Sequence, residues 1–252
     1  MPSQIKMILN YKEQQKITWN VGSAFQGIIM ERIPFSYGEK LHLSELKPYS
    51  QFILNRNGEI VWTVNTLEQQ SDYYIADMLL SDTFSNFYLK NKNIEFTIVK
   101  KEFQKISYDM LIDNYFFKNQ NRIIEFQFIS PTAFKSNGEY VFYPTIKAIF
   151  QSLINKFDFF CCCANLYTPE ILDEIMRYTK VIYYNLKSTK FYLEKISIPA
   201  FIGNFKIKVT GPQQMVNLLY LLSYFGRFSG VGIKSAMGMG GIEIIERKDK
   251  NE

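Results

Sequence analysis

The chain carries one histidine, His42, two tryptophans, and three cysteines that stand side by side as Cys161-Cys162-Cys163. Each scarcity excludes a class of chemistry. Neighbouring residues on a strand or helix point in different directions, so adjacent cysteines make a poor tetrahedral metal site. They are expected to be reduced, buried thiols at the end of an apolar helix. With a single histidine to join them and carboxylates scattered along the chain, neither a metal nor a cofactor is expected. No uninterrupted apolar run approaches the length of a membrane span. The start, Met1-Pro-Ser-Gln-Ile-Lys6, lacks the charged-then-apolar pattern of a secretory signal, and a cytoplasmic protein with no membrane partner is expected.

What is present points to a protein rich in core and mildly basic. Its 252 residues give room for two modest domains. Hydrophobic residues make up 47% and aromatics 16%, mostly 22 Phe and 17 Tyr, which suits a Phe-filled core and is compatible with stacking platforms. A net charge of +5 favours polyanions held by local patches over a global field.

The same order of elements is expected twice. In the first half, residues 4–10 read as a strand. Val21, Ala24, Phe25 and Ile28 then mark the buried face of a helix running to Arg32. Asn57-Gly58 between two apolar runs signals a hairpin, a second helix is expected over 72–80, and Ile94, Phe96 and Ile98 alternate as a closing strand. In the second half, Ile124, Phe126 and Phe128 face inward from a strand. Pro144 is expected at the first position of an apolar helix, and Pro169 to Tyr178 as an inserted helix. Strands follow from Val181 to Val209, with Lys206 and Lys208 expected on the outer face. Pro212 opens a last helix with Gly226 as its stop, and 242–245 closes the sheet. The fold class is therefore α+β, two tandem ferredoxin-like (RRM-like) βαββαβ domains, spanning 1–118 and 119–252. No Pro- or Gly-rich linker separates them, so firm packing is expected.

The segment Phe228-Ser-Gly-Val-Gly-Ile-Lys-Ser-Ala-Met-Gly-Met-Gly-Gly241 crowds Gly230, Gly232, Gly238 and Gly240 around Lys234 and Ser235. Glycine permits close backbone approach, and lysine and serine suit phosphate. A nucleotide P-loop is excluded, because the helix here precedes the glycines and the strand follows them. A tight structural turn is the alternative reading. No RNP1-like run occurs, so an ordinary RNA-recognition motif is not supported. Basic candidates for a phosphate track cluster late in the chain: Lys187, Lys190, Lys195, Lys206, Lys208, Arg227 and Lys234, with Lys135 as an addition.

Three stretches carry a family resemblance. Gly230 to Gly240 satisfies G-x-G-x-K-[ST]-x-x-G-x-G. Phe126-Gln-Phe-Ile-Ser-Pro-Thr-Ala-Phe-Lys135 is similar to a strand followed by Ser-Pro-Thr. The helix from Val21 to Arg32 is followed by Leu41-His-Leu-Ser-Glu-Leu-Lys-Pro-Tyr49. In this order they resemble the CRISPR repeat-RNA-processing endoribonucleases of the repeat-associated RNA-binding (RAMP) superfamily. The resemblance implies a duplicated ferredoxin-like fold and CRISPR repeat RNA, as precursor CRISPR RNA, as the partner. It leaves open association with an interference complex and pairing into a homodimer. It also implies catalytic roles for His42 and Lys47. Tyr37 is the candidate third member, although it lies closer to His42 than the family pattern has it, and Tyr49 lies on the wrong side. The chemistry implied is metal-independent attack by the 2′-OH, leaving a 2′,3′-cyclic phosphate and a 5′-OH. Histidine can move either proton and lysine can stabilise charge on the phosphate. A non-cleaving RNA-binding subunit of the same superfamily is the alternative, and an unrelated α+β protein with a structural glycine turn a third.

Overall fold

The computed structural model describes residues 1–12, 17–56, 58–161, 165–193 and 196–246. Alternation sets the first strand, β1 (Ser3–Tyr11), which buries Ile5, Met7 and Leu9 on one face. Helix α1 (Gly22–Arg32) lays Phe25, Ile28 and Ile29 into the same core. A second helix, α2 (Phe35–Leu43), had no counterpart in the sequence reading. Strands β2 (Tyr49–Arg56) and β3 (Glu59–Thr66) pair in the expected hairpin. Of its Asn-Gly turn, Asn57 lies outside the described residues, and Gly58 has φ +91°. The expected helix over 72–80 is instead a composite of α3 (Gln69–Ser71), a π-helical stretch Asp72–Ala76 and α4 (Asp77–Leu80). A short strand β4 (Asn86–Leu89) precedes β5 (Ile94–Lys105). All pairings are antiparallel, in the order β2-β3-β1-β5-β4.

The second half repeats the plan. Strand β6 (Ile123–Thr132) leads through a small hairpin, β7 (Phe134–Ser136) and β8 (Glu139–Val141), to α6 (Ile146–Phe160). Thr145 caps α6 by accepting from the Ala148 N–H, so Pro144 falls just before the cap and not at the first helical position. The inserted helix α7 (Pro169–Tyr178) keeps its expected bounds. Long strands β9 (Thr179–Leu193) and β10 (Ile196–Val209) form a hairpin, α8 (Gln213–Ser229) follows, and β11 (Ile242–Ile244) closes the sheet. The antiparallel order is β11-β6-β10-β9. With the edge strand β4 set aside, both sheets place the first strand between the third and the fourth, the ferredoxin-like order. The fold class is α+β with two ferredoxin-like halves.

Gly226 does not stop α8. The helix runs on to Ser229, and Gly230, at φ +66°, is its cap. A Cβ on Gly226 would stand 2.8 Å from Ile242 and 2.9 Å from Leu153, so this glycine serves the approach of α8 to β11 and α6. Helix α5 (Tyr108–Tyr115), between the two sheets in sequence, buries Leu111 in the core of the second half. Cys161 is buried at the end of α6, while Cys162 and Cys163 lie outside the described residues.

The halves are joined by buried polar bonds. Ser50 Oγ donates to the Phe228 carbonyl at 2.6 Å, and Gln51 Nε2 donates to the Ala236 carbonyl at 2.9 Å and, within its own half, to that of Gly22 at 3.0 Å. Gln51 Oε1 in turn accepts from Trp62 Nε1 at 2.7 Å. These contacts pin the glycine-rich segment onto the first half.

Candidate functional site

The backbone around His42 is shaped by the end of α2. That helix buries Tyr37, Gly38 and Leu41 and leaves Phe35, His42 and Leu43 exposed. Beyond it the chain turns sharply. Ser44 N–H closes the helix on Lys40 O, and Ser44 Oγ donates to Leu46 O at 2.6 Å. Lys47 Nζ folds back over this turn, donating to the Ser44 carbonyl at 2.5 Å and reaching the His42 carbonyl at 3.5 Å. His42 and Lys47 therefore share one small loop. Burial lowers the Lys47 pKa, and the charge of Lys234 lowers it further, which marks Lys234 as a neighbour across the junction of the halves.

Tyr37 is placed differently. Five residues along a helix is about 140° around its axis, so Tyr37 and His42 face apart. The Tyr37 ring stacks on Tyr74 at 4.6 Å, and its hydroxyl is buried with no hydrogen-bond partner among the described residues. Burial, and then the charge of Glu68, raises its pKa well above the ordinary phenol value.

The glycine-rich segment is packed, and its amides are largely committed within the protein. The N–H groups of Gly230, Val231, Gly232 and Ile233 donate to Gly226 O, Gly240 O, Ser152 Oγ and Ala133 O. Those of Gly240 and Gly241 donate to Pro131 O and Ser130 Oγ. A Cβ on Gly232 would meet Ala133 O at 2.2 Å, at φ +78°, and the requirement there is for space as much as for conformation. The stretch Ser130-Pro-Thr-Ala133 is thus the wall against which the glycines lie. The close backbone approach that the glycines permit is therefore made to the protein itself, and the amides of Gly230, Gly232 and Gly240 are already bonded. Gly238 packs on Gly22 and Phe191, and Ser235 is buried. Lys234 alone among the motif's polar residues is exposed. It holds a left-handed backbone, φ +56°, which is uncommon away from glycine and throws its side chain outward.

One residue behind this segment escaped the sequence reading. Lys156, on α6, is 7% exposed and donates to Ser229 O (3.1 Å), Gly230 O (2.9 Å) and Ser235 Oγ (3.3 Å). Three oxygens match the three N–H groups of an ammonium. Burial pushes its pKa down to about 7. The signal was in the spacing: Lys156 falls on the apolar face defined by Ile149 and Leu153, where a lysine needs a built partner.

The basic track is only partly free. Lys206 is buried and paired with Glu125 at 2.7 Å, beneath the ring of Tyr183, contrary to its expected outward position. Arg227 is half-buried and paired with Glu243 at 2.9 Å. Lys135, Lys187, Lys190 and Lys208 are exposed, and Lys195 lies outside the described residues. Lys135 and Lys147 overlook a cleft of about 630 Å³, walled by Glu45 and Leu46 on one side and by Gly232 and Ile233 on another. The cleft thus opens beside the turn that carries His42 and Lys47. Among the described residues no group of three or more His, Cys, Asp and Glu could hold a metal ion, and no helix is long and apolar enough to cross a membrane.

Two ferredoxin-like halves are locked through a glycine-rich segment, with lysines gathered where they meet, and known proteins share this fold. The family model described as CRISPR-associated endoribonuclease Cas6 matches residues 126–242. A curated CRISPR-associated endoribonuclease Cas6 from Streptococcus thermophilus is 28% identical over 245 residues, covering 97% of this chain and 99% of that protein. One from Mycobacterium tuberculosis (strain CDC 1551 / Oshkosh) is 28% identical over 225 residues, 89% of this chain and 71% of that protein. Among solved structures, a Cas6 product complex superposes with a TM-score of 0.80 at 19% identity, covering 97% of this chain and 100% of that one. A Thermus thermophilus Cas6 gives 0.76 at 18% identity, covering 97% and 98%. Over 97% of its length the chain is thus similar to a CRISPR-associated endoribonuclease Cas6, in sequence to the curated relative and in fold to the solved structures.

Proposed function

We propose that this protein is a metal-independent endoribonuclease that cuts precursor CRISPR RNA within the repeat. The observation that carries the reading is the gathering of His42 and Lys47 on one turn, with Lys234 close enough to Lys47 to depress its pKa. A scissile phosphate lying over that turn meets an exposed imidazole and two ammonium groups. The 2′-oxygen attacks phosphorus as it loses its proton, the bond from phosphorus to the 5′-oxygen breaks, and the departing oxygen takes a proton. His42 serves one of these transfers and solvent water the other. Lys47 and Lys234 stabilise the charge that grows on the phosphate oxygens. The products are a 2′,3′-cyclic phosphate and a 5′-OH.

In this reading the unit 1–118 supplies the chemistry and 119–252 supplies the grip. Gly230, Gly232, Gly238 and Gly240 act by shaping the support of Lys234, and Ser235 by accepting from Lys156. Lys135 and Lys208 are direct phosphate contacts. Lys206 and Arg227 contribute through their ion pairs with the sheet, and Tyr37 by fixing α2. One specific observation favours a second reading, a non-cleaving RNA-binding subunit of an interference complex: the Tyr37 hydroxyl is buried and does not join His42. Analysis of product ends decides between them. Incubation with the host's repeat RNA in excess EDTA is expected to yield a single cut ending in a cyclic phosphate. Binding without cutting would establish the second reading, and a cut that EDTA abolishes would overturn the mechanism.

A further inference from the structure

The cleft beside Lys135 and Lys147 has a lining that phosphate binding alone does not require. Its floor on α6 presents Gln151 and Asn155, one helical turn apart, with Gln151 Nε2 donating to Asn155 Oδ1 at 2.7 Å. That bond orients the pair and leaves one amide carbonyl and one amide NH2 unspent, a donor and an acceptor side by side. Leu46 and Ile233 supply apolar walls, and Tyr143, 60% exposed, stands at the rim. A volume of about 630 Å³ falls within the range of pockets that enclose one small organic group. The Watson–Crick edge of every nucleobase carries a donor next to an acceptor, and every base has a face that stacks on an aromatic ring.

We propose that this cleft receives one unpaired RNA base next to the cut, stacked at Tyr143 and read at its edge by Gln151 and Asn155. Lys135 and Lys147 hold the phosphates on either side. Glu45 and Leu46 belong to both the cleft wall and the turn between His42 and Lys47, so seating the base draws the neighbouring phosphate onto that turn. The proposal rests on the RNA-processing reading and adds to it a subsite that holds one base at a fixed position.

An abasic scan of the repeat RNA tests it, with affinity measured for each single-position abasic RNA. For the wild type, removal of one base beside the cut is expected to weaken binding about tenfold, the scale of one stacked base. In Gln151→Ala/Asn155→Ala, and separately in Tyr143→Leu, that position's penalty is expected to shrink at least threefold while penalties elsewhere stay the same. Gln151 and Asn155 sit on the open side of α6, and thermal melting of each variant reports that the fold is kept. RNA bound and cut with no single sensitive position, or with the same penalty in wild type and variants, overturns the subsite and leaves the nuclease reading standing. Failure of the wild type to bind repeat RNA overturns both.

Discussion

Lys156 shows how one buried residue can hold a loop in place. In its protonated form it joins the end of α8 to the middle of the glycine segment through three oxygens. Burial pushes its pKa down to about 7 from 10.5. Between those values the unfolded chain holds a proton that the folded chain has released, so this residue makes stability rise with pH. The slope approaches about 1.4 kcal/mol per pH unit. The window closes near pH 10, where Tyr49 and Tyr220, both pushed up by burial to about 12, oppose further gain because the unfolded chain ionises first. Urea midpoints at pH 7 and 9 check this: the wild type is expected to gain stability, and Lys156→Met to lose most of that gain. Ion pairing likewise separates residues that look alike in sequence. Lys206 and Lys234 are both lysines of the basic C-terminal region, yet one is buried against Glu125 and the other is exposed. Lys234→Ala is expected to lower the slope of log affinity for repeat RNA against log salt by about 0.7, one phosphate contact on a single strand. Lys206→Ala is expected to leave that slope alone. Equal slopes for the two variants would contradict the distinction.

At the scale of elements, the glycine-rich segment is a packing joint that presents one lysine. Gly232→Ala forces a Cβ onto the Ala133 carbonyl at 2.2 Å, with both neighbours fixed by backbone bonds. A loss of about 3 kcal/mol is expected from steric clash and a left-handed backbone together. Equilibrium denaturation measures it, and a cost below about 1 kcal/mol would mean that the joint is looser than its hydrogen bonds indicate. Most elements of this kind were legible in the chain. The α1 face, the β2–β3 hairpin, α7 and the strand order all follow from periodicity and turn residues. Helix α2 was not, because its exposed Phe35 and Leu43 blur the apolar face that Tyr37, Gly38 and Leu41 form. The partners of Lys206 and Arg227 were also hidden, since Glu125 and Glu243 reach them only once the sheet is assembled. The motif glycines were visible as a cluster, but whether their amides face solvent or protein depends on the Ser130-Pro-Thr-Ala133 wall.

In the whole molecule, the candidate site forms where the two halves meet. Ser50 and Gln51 clamp the glycine segment, and that clamp brings Lys234 beside Lys47 and the turn of His42. Neither half alone assembles this group of side chains. The most direct measurement is the single-turnover cleavage rate of repeat RNA by the wild type and by His42→Ala, with affinity measured on the same samples. His42 is exposed and among the described residues carries no side-chain bond that the fold needs, so the variant is expected to bind with unchanged affinity. Its cleavage rate is expected to fall by at least about 100-fold. Cutting by His42→Ala at the wild-type rate would contradict the account and place the active centre elsewhere.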